Sequence, residues 1–473
     1  MQALRPILSV AVAVALAGCA LKPPPERGEL AQQALPNFKT PPKWTAQPEP
    51  SGAVGDRWLA SFNDLQLDAL VREALTYNPD LQVAAARVEQ AAGYVKLAGA
   101  TLYPQVNLLA RGGGKMSGDS SGLTGVGVFL NWELDLWGRI RAGREAAQNQ
   151  YGSATLDAEY ARQSIAALVA KSWFLATEAR LQKAIAEDMV GASSRQLGLA
   201  EDRMRVGSGD EYDVTLARAN LATYLDTVRN LDLAYQQSLR ALEALAGRYP
   251  AAAASVPAQL AAAPGPVPVG MPSELLERRP DVVAAERRVA AAFYRVEEAK
   301  AARLPRISLT AAVTSISSDL FVLKQHDNPV WSAGASLIAP LFLGGQLQSQ
   351  VEIKTAEQKQ AVAEYGRIGA RAFGEVENAL SAEFAARDRE RILTETLADS
   401  QRAYNIVQDQ YRVGSTDLRF VSQRQLALNA TQSALIRTQA EQRVQRVNLY
   451  LALGGGFEKK PATPPTTQPP TSK

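Results

Sequence analysis

A duplicated pattern of prolines and glycines constrains the fold of this chain more than any other feature. Three pairs of segments match: Asn78-Pro79-Asp80-Leu81 with Arg279-Pro280-Asp281-Val282, Tyr103-Pro104-Gln105-Val106 with Leu304-Pro305-Arg306-Ile307, and Arg205-Val206-Gly207-Ser208 with Arg412-Val413-Gly414-Ser415. The first two pairs are 201 residues apart and the third is 207 residues apart. Because residues that punctuate turns recur in the same order, the sequence predicts a tandem duplication of one structural unit.

Each copy is predicted to contain one long helix and two shorter ones. Pro79 suits the first turn of a helix that Asn78 caps. A separate helical pattern without proline runs from Gly138 to Val206. It spans about 65 residues, or about 100 Å at the rise of an α-helix. After the turn at Gly207, a helix of about 30 residues returns from 213 to 246. In the second copy the long helix runs from 346 to 413 and the returning helix from 420 to 453.

Two strands are predicted in each copy, after Pro104 and after Pro305, because the hydrophobic period changes there to two. Ten-residue strands with one apolar and one polar face are typical of a transmembrane barrel, although a half-buried soluble sheet gives the same pattern. The duplication, and the lipoprotein signal described below, favour the barrel. The candidate lumen-facing residues are Asn107, Arg111, Asn131, Glu133 and Asp135.

Four strands cannot close a barrel in lipid, because open edges leave unpaired backbone groups in hydrocarbon. The chain is therefore predicted to oligomerise. Two copies give eight strands with a filled interior, whereas three copies give twelve strands and room for a channel. The polar residues of the inner face favour twelve strands.

The first residues resemble a bacterial lipoprotein signal. Arg5 is followed by an apolar run from Ile7 to Leu16, which at about ten residues is too short to cross a bilayer. Leu16-Ala17-Gly18-Cys19 resembles a lipobox, so residues 1–18 are expected to be cleaved and Cys19, the only cysteine, to be acylated. Ala20 rather than Asp follows it, which implies export to the outer membrane.

Other functional classes find no support in the composition. A net charge of +3 without a basic stripe argues against nucleic-acid binding. The single histidine, His326, lies in a predicted loop between strands, and no phosphate-binding loop or cluster of metal ligands is evident. We therefore expect no enzyme, no cofactor and no metal site.

The domain organisation follows from these elements. After the signal peptide we expect an extended lipidated segment, two repeats, a linker and a disordered Pro/Thr tail. Their bounds are 19–64 for the extended segment, 65–247 for repeat 1 (β-hairpin 104–137, α-hairpin 138–247), 248–273 for the Ala/Pro-rich linker, 274–457 for repeat 2 (β-hairpin 305–343, α-hairpin 344–455) and 458–473 for the tail. Residues 20–57 and 250–272 are expected to wrap around the helices.

Two further motifs resemble one family closely. They are Leu276-Glu277-Arg278-Arg279-Pro280-Asp281-Val282 with Ala285-Glu286-Arg287-Arg288, and Asn448-Leu449-Tyr450-Leu451-Ala452-Leu453-Gly454-Gly455-Gly456. Together they are similar to the outer membrane factor (TolC-like outer membrane efflux protein) family, in its lipoprotein branch. The resemblance covers nearly the whole chain. It implies a mainly α fold with a membrane β part, in which a homotrimer forms a 12-stranded barrel continued by a 12-helix periplasmic tunnel.

The resemblance also implies partners and a function. A periplasmic adaptor joins the duct to an inner-membrane transporter that supplies the energy, and the duct passively conducts small toxic compounds or drugs across the outer membrane. A duct for type I protein secretion or for metal efflux stays an alternative, as does a non-conducting structural lipoprotein. Five methionines and one histidine give no support for a soft-metal relay.

The resemblance implies that the two Val-Gly-Ser turns bind a partner protein. As turns, each is predicted to hold its glycine in the left-handed conformation and to use its serine to cap the next helix. As periplasmic tips, they imply adaptor contacts at Val206, Gly207, Ser208, Val413, Gly414 and Ser415.

The gate residues of the family do not match this chain directly. The family carries an Asp and an Arg in its second tip, where this chain has Gln423 and Leu426. The remaining gate candidates are polar residues beside the two turns, for which simple solvation is the alternative. They are Asp210, Glu211, Asp213, Asp417, Arg419, Gln423 and Arg424.

Overall fold

The computed structural model describes residues 23–46, 57–111, 124–317 and 330–456. These residues form nine α-helices and four β-strands, together with single turns of 3-10 helix at Trp58–Phe62 and Pro272–Glu274. In chain order the elements are α1 (Arg27–Ala34), α2 (Leu65–Tyr77), α3 (Pro79–Ala100), β1 (Gln105–Arg111), β2 (Thr124–Leu134), α4 (Arg139–Arg205), α5 (Glu211–Leu245), α6 (Leu275–Arg278), α7 (Pro280–Ala301), β3 (Arg306–Ser317), β4 (Val330–Ile338), α8 (Gln346–Arg412) and α9 (Leu418–Ala452).

Three pairs of matching helices have equal lengths in the two repeats. Helices α3 and α7 have 22 residues each, α4 and α8 have 67, and α5 and α9 have 35. Proline occupies the first position of α3 and of α7, where its missing N–H has no intrahelical partner to lose. The predicted duplication and the predicted long helices are therefore confirmed.

The four strands form one antiparallel sheet in the order β1-β2-β3-β4. The sheet belongs to the first of two compact units, which comprises the described residues within 1–38, 84–157 and 281–369. Its register pairs Val128 with Leu108 on one side and with Val313 on the other, so these apolar residues share a face. Leu108 is 71% exposed on that face. Strands β1 and β4 have a neighbour on one side only among the described residues.

Helix α1 packs within the same unit. Leu30 is buried, and the Arg27 guanidinium donates to the Glu286 carboxylate of α7 at 2.7 Å. The backbone of α1 ends against α8 at Gly366, where a Cβ would lie 2.6 Å from the Ala34 carbonyl oxygen. Residues 19–64 were predicted to be extended, but this part is helical because Arg, Glu, Leu, Ala and Gln all favour helix.

The second unit comprises the described residues within 39–83, 158–280 and 370–473. Trp58 stacks on Tyr450 with ring centroids 5.8 Å apart, and Phe62 packs on Phe174 of α4 at 4.9 Å. Earlier in the chain, the Trp44 indole donates to the Val269 carbonyl. Trp44 also packs on Phe373 of α8 with ring centroids 6.2 Å apart, so this part of residues 20–57 lies against a helix, while the wrapping of both segments around the helices stays a prediction.

The Ala/Pro-rich linker is held by charged side chains of the same unit. Arg180 of α4 donates to the Val256 carbonyl, Arg443 of α9 donates to the Ala261 carbonyl, and Glu243 of α5 accepts three backbone N–H groups from Ala252, Ala253 and Ala254. These bonds satisfy polar backbone atoms of a segment that has no regular secondary structure.

Each returning helix ends against the start of the proline-initiated helix of its own repeat. In repeat 1 the Asn78 amide donates to the Leu245 carbonyl at 2.9 Å, and in repeat 2 the Arg279 guanidinium donates to the Ala452 carbonyl at 3.3 Å. The helix ends are thus joined at equivalent places, although the two side chains that join them differ.

Among the described residues, no helix combines the length and the apolar character needed to cross a membrane.

Candidate functional site

The two Val-Gly-Ser turns have the same backbone geometry. Gly207 has φ +74° and Gly414 has φ +77°, the left-handed conformation that glycine adopts without strain. The N–H of Ser208 donates to the Arg203 carbonyl and that of Ser415 to the Gln410 carbonyl, at 2.9 Å each. The left-handed glycine predicted for each turn is present.

The capping role predicted for the serines is wrong. Helix α5 begins after Asp210, whose carboxylate accepts the N–H of Asp213 at 2.9 Å, and α9 begins after Asp417. The hydroxyls of Ser208 and Ser415 instead donate back to the Arg203 and Gln410 carbonyls. Because the turns contain two more residues than a direct cap allows, each serine satisfies the end of the preceding helix rather than the start of the next.

Both turns expose an apolar side chain at their outermost point. Val206 is 76% exposed and Val413 is 80% exposed. A Cβ on Gly207 would meet no atom within 4 Å, so the surface beside Val206 is open. Each turn therefore offers one apolar side chain and a bare stretch of backbone to a binding partner.

Arg203 connects the two turns. Its guanidinium lies 4.6 Å from the centre of the Tyr411 ring and donates to the Tyr411 carbonyl at 3.2 Å and to the Ser208 carbonyl at 3.4 Å. Neither residue was among the sites predicted from the sequence. A signal was present, because Gln410 and Met204 stand at the matching positions of the other repeat, so Arg203 and Tyr411 are places where the duplication is broken.

A small apolar core lies directly beneath the turns. It contains Tyr411 and Leu418 from the second turn region and Val214 from α5, with five further buried residues: Ala200, Ala217, Tyr404, Val421 and Leu428. The turns are therefore supported by packing between α4, α5, α8 and α9 of the second unit.

The acidic gate candidates occupy different environments. Glu211 is exposed, and Asp417 is exposed with its carboxylate 3.7 Å from the Arg419 guanidinium. Asp213 is half-buried beside Tyr411. Burial, together with the negative charges of Asp210 and Asp417, raises the pKa of the Asp213 carboxyl above its ordinary value, although Arg203 opposes the shift. The ionised form of Asp213 is thus disfavoured by burial and by its two acidic neighbours.

The positions aligned with the family's gate face outward on α9. Gln423, Arg424 and Leu426 are all exposed, and Arg424 lines a groove with Glu395 and Asp399 of α8. Between them, Gln425 is buried and its side-chain oxygen accepts a hydrogen bond of 2.7 Å from Gln196 of α4. Gln425 therefore makes a buried link between α4 and α9, and it was not among the residues predicted from the sequence.

Three of the predicted lumen residues share one face of the sheet. Asn131 is paired with Gln105 and Thr310, Asn107 with Phe129, and Glu133 with Ser308, which puts Asn107, Asn131 and Glu133 on the face opposite Leu108 and Val128. Glu133 accepts bonds from the Arg139 guanidinium at 2.9 and 3.0 Å.

The other two predicted lumen residues stand at strand ends. Arg111 closes β1 opposite Gly125, and its side chain lies outside the described part. Asp135 follows β2 and accepts the backbone N–H groups of Ile140 and Arg141 at 2.9 Å each, so it caps the start of α4. Its carboxylate also pairs with the Arg141 guanidinium at 3.1 Å.

Cys19, His326 and the predicted tail 458–473 lie outside the described residues. Within the described ranges, no group of three or more His, Cys, Asp or Glu side chains is arranged to hold a metal ion.

A mainly helical duplicated chain with a four-stranded amphipathic sheet and paired helical-hairpin turns has the architecture of an outer-membrane channel subunit. The family model described as "Outer membrane efflux protein" matches residues 70–248 and 271–455, one match for each repeat. The chain belongs to the outer membrane efflux protein family.

Named relatives match over almost their whole length. The chain is 29% identical to the pyoverdine export outer membrane protein OpmQ of Pseudomonas putida, over 96% of this chain and 98% of the relative. It is 28% identical to the cation efflux system protein CusC of Escherichia coli K12, over 95% of this chain and 99% of the relative.

Solved structures have the same fold. The outer-membrane channel OprN superimposes with a TM-score of 0.80 at 28% identity, covering 89% of this chain and 99% of OprN. The fold is thus that of the trimeric outer membrane factor channels, mainly α with a membrane β part, as predicted.

Membership of this family defines the general function of the chain. It is an outer-membrane efflux channel with a large periplasmic part, a component of a tripartite system and a passive duct rather than an enzyme. The relatives are efflux or export channels by name, which does not favour the alternatives of a protein-secretion duct or a non-conducting structural lipoprotein.

Proposed function

We propose that three copies of this chain close a 12-stranded barrel and that the resulting channel releases small toxic compounds through the outer membrane. The observation that carries the proposal is the pair of single-sided edge strands, β1 and β4, in a sheet whose apolar face is exposed. Unpaired backbone groups cost several kcal/mol each in hydrocarbon, so β4 of one copy pairs with β1 of the next.

The polar face of the sheet lines the lumen in this arrangement. Asn107, Asn131 and Glu133 then face water, while Leu108 and Val128 face lipid. Arg111 and Asp135 stand at the two ends of this lumen face. Glu133 and Asp135 also hold arginines at the start of α4, so both carboxylates brace the junction of strand and helix.

The two turns form the docking surface for the periplasmic adaptor. Val206 and Val413 supply exposed apolar contacts, and the left-handed glycines beside them leave the backbone accessible. Ser208 and Ser415 are engaged with the preceding helix and shape the turn. An inner-membrane transporter completes the assembly through this adaptor.

The charged groups beside the turns form the gate. Asp210, Asp417 and Arg203 lie close enough to Asp213 to act on its charge, and Arg419 pairs with Asp417. Glu211, Gln423 and Arg424 are exposed on the same two hairpins. Opening then requires that the contact between Arg203 and Tyr411 loosens.

Acylation of Cys19 anchors each protomer in the outer membrane. The thiol follows Leu16-Ala17-Gly18, the sequence on which this part of the proposal rests. Several acyl chains, at about 0.8 kcal/mol for each buried methylene, hold a protein firmly in a membrane. Incorporation of labelled palmitate into the natural chain, and its loss in Cys19→Ser, tests the anchor.

The cargo is a small molecule. Relatives are named for export of pyoverdine, for cation efflux and for toluene efflux. These compounds differ in charge and polarity, which fits a duct whose partner transporter selects the substrate. A deletion strain exposed to a panel of toxic compounds identifies the class.

Conductance tests the channel itself. The purified protein should form trimers in detergent and pass ionic current in a planar bilayer. A stable monomer, or a trimer that passes no current, would contradict the proposal.

A second experiment tests docking. The double variant Gly207→Glu and Gly414→Glu should abolish the resistance that the complete pump confers, while conductance in a bilayer persists. Gly198→Glu is the matched control, because Gly198 is an exposed position on the shaft of α4 where a Cβ meets no atom within 4 Å. Wild-type resistance in a strain carrying the stable double variant would count against docking at the turns.

A further inference from the structure

A basic pocket lies in the first unit, where α7 ends and β3 and α8 begin. Its volume is about 650 Å³. Four cationic side chains line it, Arg139, Arg295, Arg306 and Lys354, together with a single carboxylate, Glu298. Four positive charges against one negative charge are unusual in a chain whose acidic and basic residues nearly balance.

Two of the four cations have their charge neutralised. Arg139 is paired with Glu133 at 2.9 Å, and Lys354 with Glu357 at 2.9 Å. Arg295 and Arg306 make no hydrogen bond or ion pair with any side chain in the part of the chain that the structure describes. Two guanidinium groups therefore face the pocket with their donors available.

Glu298 can offset at most one of these two arginines. Burial raises the pKa of its carboxyl above the ordinary value, even though Arg139 and Arg295 lie close enough to lower it. Its side chain also packs toward α4, where a Cβ on Gly143 would lie 3.0 Å from Oε1. The pocket thus keeps an excess of positive charge.

The pocket adjoins the polar face of the sheet. Arg306 is the first residue of β3 and lies two residues before Ser308, which pairs with Glu133. Because side chains alternate along a strand, Arg306 and Glu133 share the polar face. Glu133 in turn binds Arg139 of the pocket. If the polar face lines the lumen, the pocket opens onto the path of the cargo.

We propose that this pocket is an anion-binding station in the lumen, which favours the passage of compounds that carry a carboxylate or phosphate group. The inference rests on the proposed channel function. Arginine suits the task because its planar fork donates two parallel hydrogen bonds to such a group, and it stays charged at every physiological pH.

Ion selectivity and phosphate block test the station in purified trimers in a planar bilayer. Under a potassium chloride gradient, the reversal potential of the natural channel should lie on the anion side. Inorganic phosphate should reduce the current. In the double variant Arg295→Gln and Arg306→Gln, the reversal potential should move toward the cation side, and the phosphate concentration for half block should rise about tenfold.

Matched controls separate the pocket from net charge. Arg87→Gln with Arg303→Gln removes the same charge from exposed positions outside the pocket and should leave both measurements unchanged. Arg295→Lys with Arg306→Lys keeps the charge but loses the fork, so selectivity should persist while phosphate block weakens. This pair also provides the test should the glutamine variant fail to assemble.

Two results distinguish the pocket from the channel function. An unchanged reversal potential and unchanged phosphate block in the conducting glutamine variant would overturn the anion station and leave the channel intact. A natural protein that passes no current would overturn the channel function; calorimetric titration of that protein with inorganic phosphate would then measure the pocket alone, and equal binding by the natural and glutamine proteins would overturn the station.

Discussion

The guanidinium of Arg203 lies over the ring of Tyr411, 4.6 Å from its centre, and donates to the carbonyl of the same residue at 3.2 Å. Arg203 stands near the end of α4 and Tyr411 near the end of α8, so one side chain joins the tips of the two long helices. The carbonyl at the end of α8 attracts a cation, and the aromatic face adds to the attraction. The two repeats are therefore joined at their tips by residues in which they differ.

Replacing Arg203 with Ala should loosen the tips. The cation–π contact and the hydrogen bond together contribute about 1–2 kcal/mol, so the open probability of the channel should rise about tenfold. Single-channel recording in a planar bilayer measures it. Arg205→Ala is the control, because Arg205 is exposed and its ion pair is with Asp202 of the same helix. An Arg203→Ala channel that stays closed as often as the natural one would contradict this role.

Acid should favour the closed tips through Asp213. Its pKa is raised in the folded protein, by burial first and then by Asp210 and Asp417, so the folded tip binds a proton more readily than the unfolded chain does. Stability from this group is therefore greatest at low pH and is lost as the pH rises through the raised pKa.

The measurement is the open probability of single channels as the pH falls from 7 toward the ordinary carboxyl range. It should decrease in the natural channel and change less in Asp213→Asn, which imitates the protonated carboxyl. Asp409→Asn, an exposed acid paired with Arg412, serves as control. Equal pH responses of the natural and Asp213→Asn channels would remove Asp213 from the gate.

How far the sequence predicts this structure is clearest at the paired positions. Pro79 with Pro280 and Gly207 with Gly414 predict helix starts and turns, because these residues act on their own backbone whatever surrounds them. Ser208 and Ser415 were assigned to the wrong helix, because either helix end offers a backbone partner and only the turn geometry decides between them. Arg203, Tyr411 and Gln425 depend on contacts between helices more than 200 residues apart, which periodicity in one helix cannot reveal.

The strands were also predicted correctly in part and incorrectly in part. Alternation predicted which residues share a face, and the register agrees for Asn107, Asn131 and Glu133. Asp135 continued the alternation in sequence, but β2 ends one residue earlier and the carboxylate caps α4. A period-two pattern does not mark its own last residue, because a capping Asp fits the pattern equally well.

A methyl group at Gly247 should disturb the junction between the ends of α5 and α2. Gly247 has φ +74°, and a Cβ there would lie 2.7 Å from the Tyr77 carbonyl oxygen. Gly247→Ala therefore adds a backbone clash to the conformational strain of about 1–2 kcal/mol, and the thermal midpoint of the purified protein should fall by several degrees. Gly207→Ala carries the same strain but no clash, so its midpoint should fall less. A smaller loss in Gly247→Ala than in Gly207→Ala would refute the close approach.

Glu243 holds the Ala/Pro-rich linker by its charge. Its carboxylate accepts the N–H groups of Ala252, Ala253 and Ala254 at 2.7, 2.6 and 2.7 Å. Burial of the carboxyl opposes ionisation, but these backbone bonds outweigh it and lower the pKa of Glu243. The stabilisation is therefore fully present above the ordinary carboxyl range and is lost as the pH falls through the lowered pKa.

Glu243→Gln should release the linker without unfolding the helices. The amide keeps one acceptor oxygen but loses the charge, which costs about 2 kcal/mol for hydrogen bonds of this kind. Limited proteolysis at neutral pH should then cut within residues 250–272 faster than in the natural protein, while the helical circular dichroism stays the same. Glu187→Gln is the control, since Glu187 is exposed and lies 3.7 Å from Lys183. Because free linker backbone is what a protease recognises, equal cleavage rates in Glu243→Gln and the natural protein would show that the three short bonds do not hold the linker.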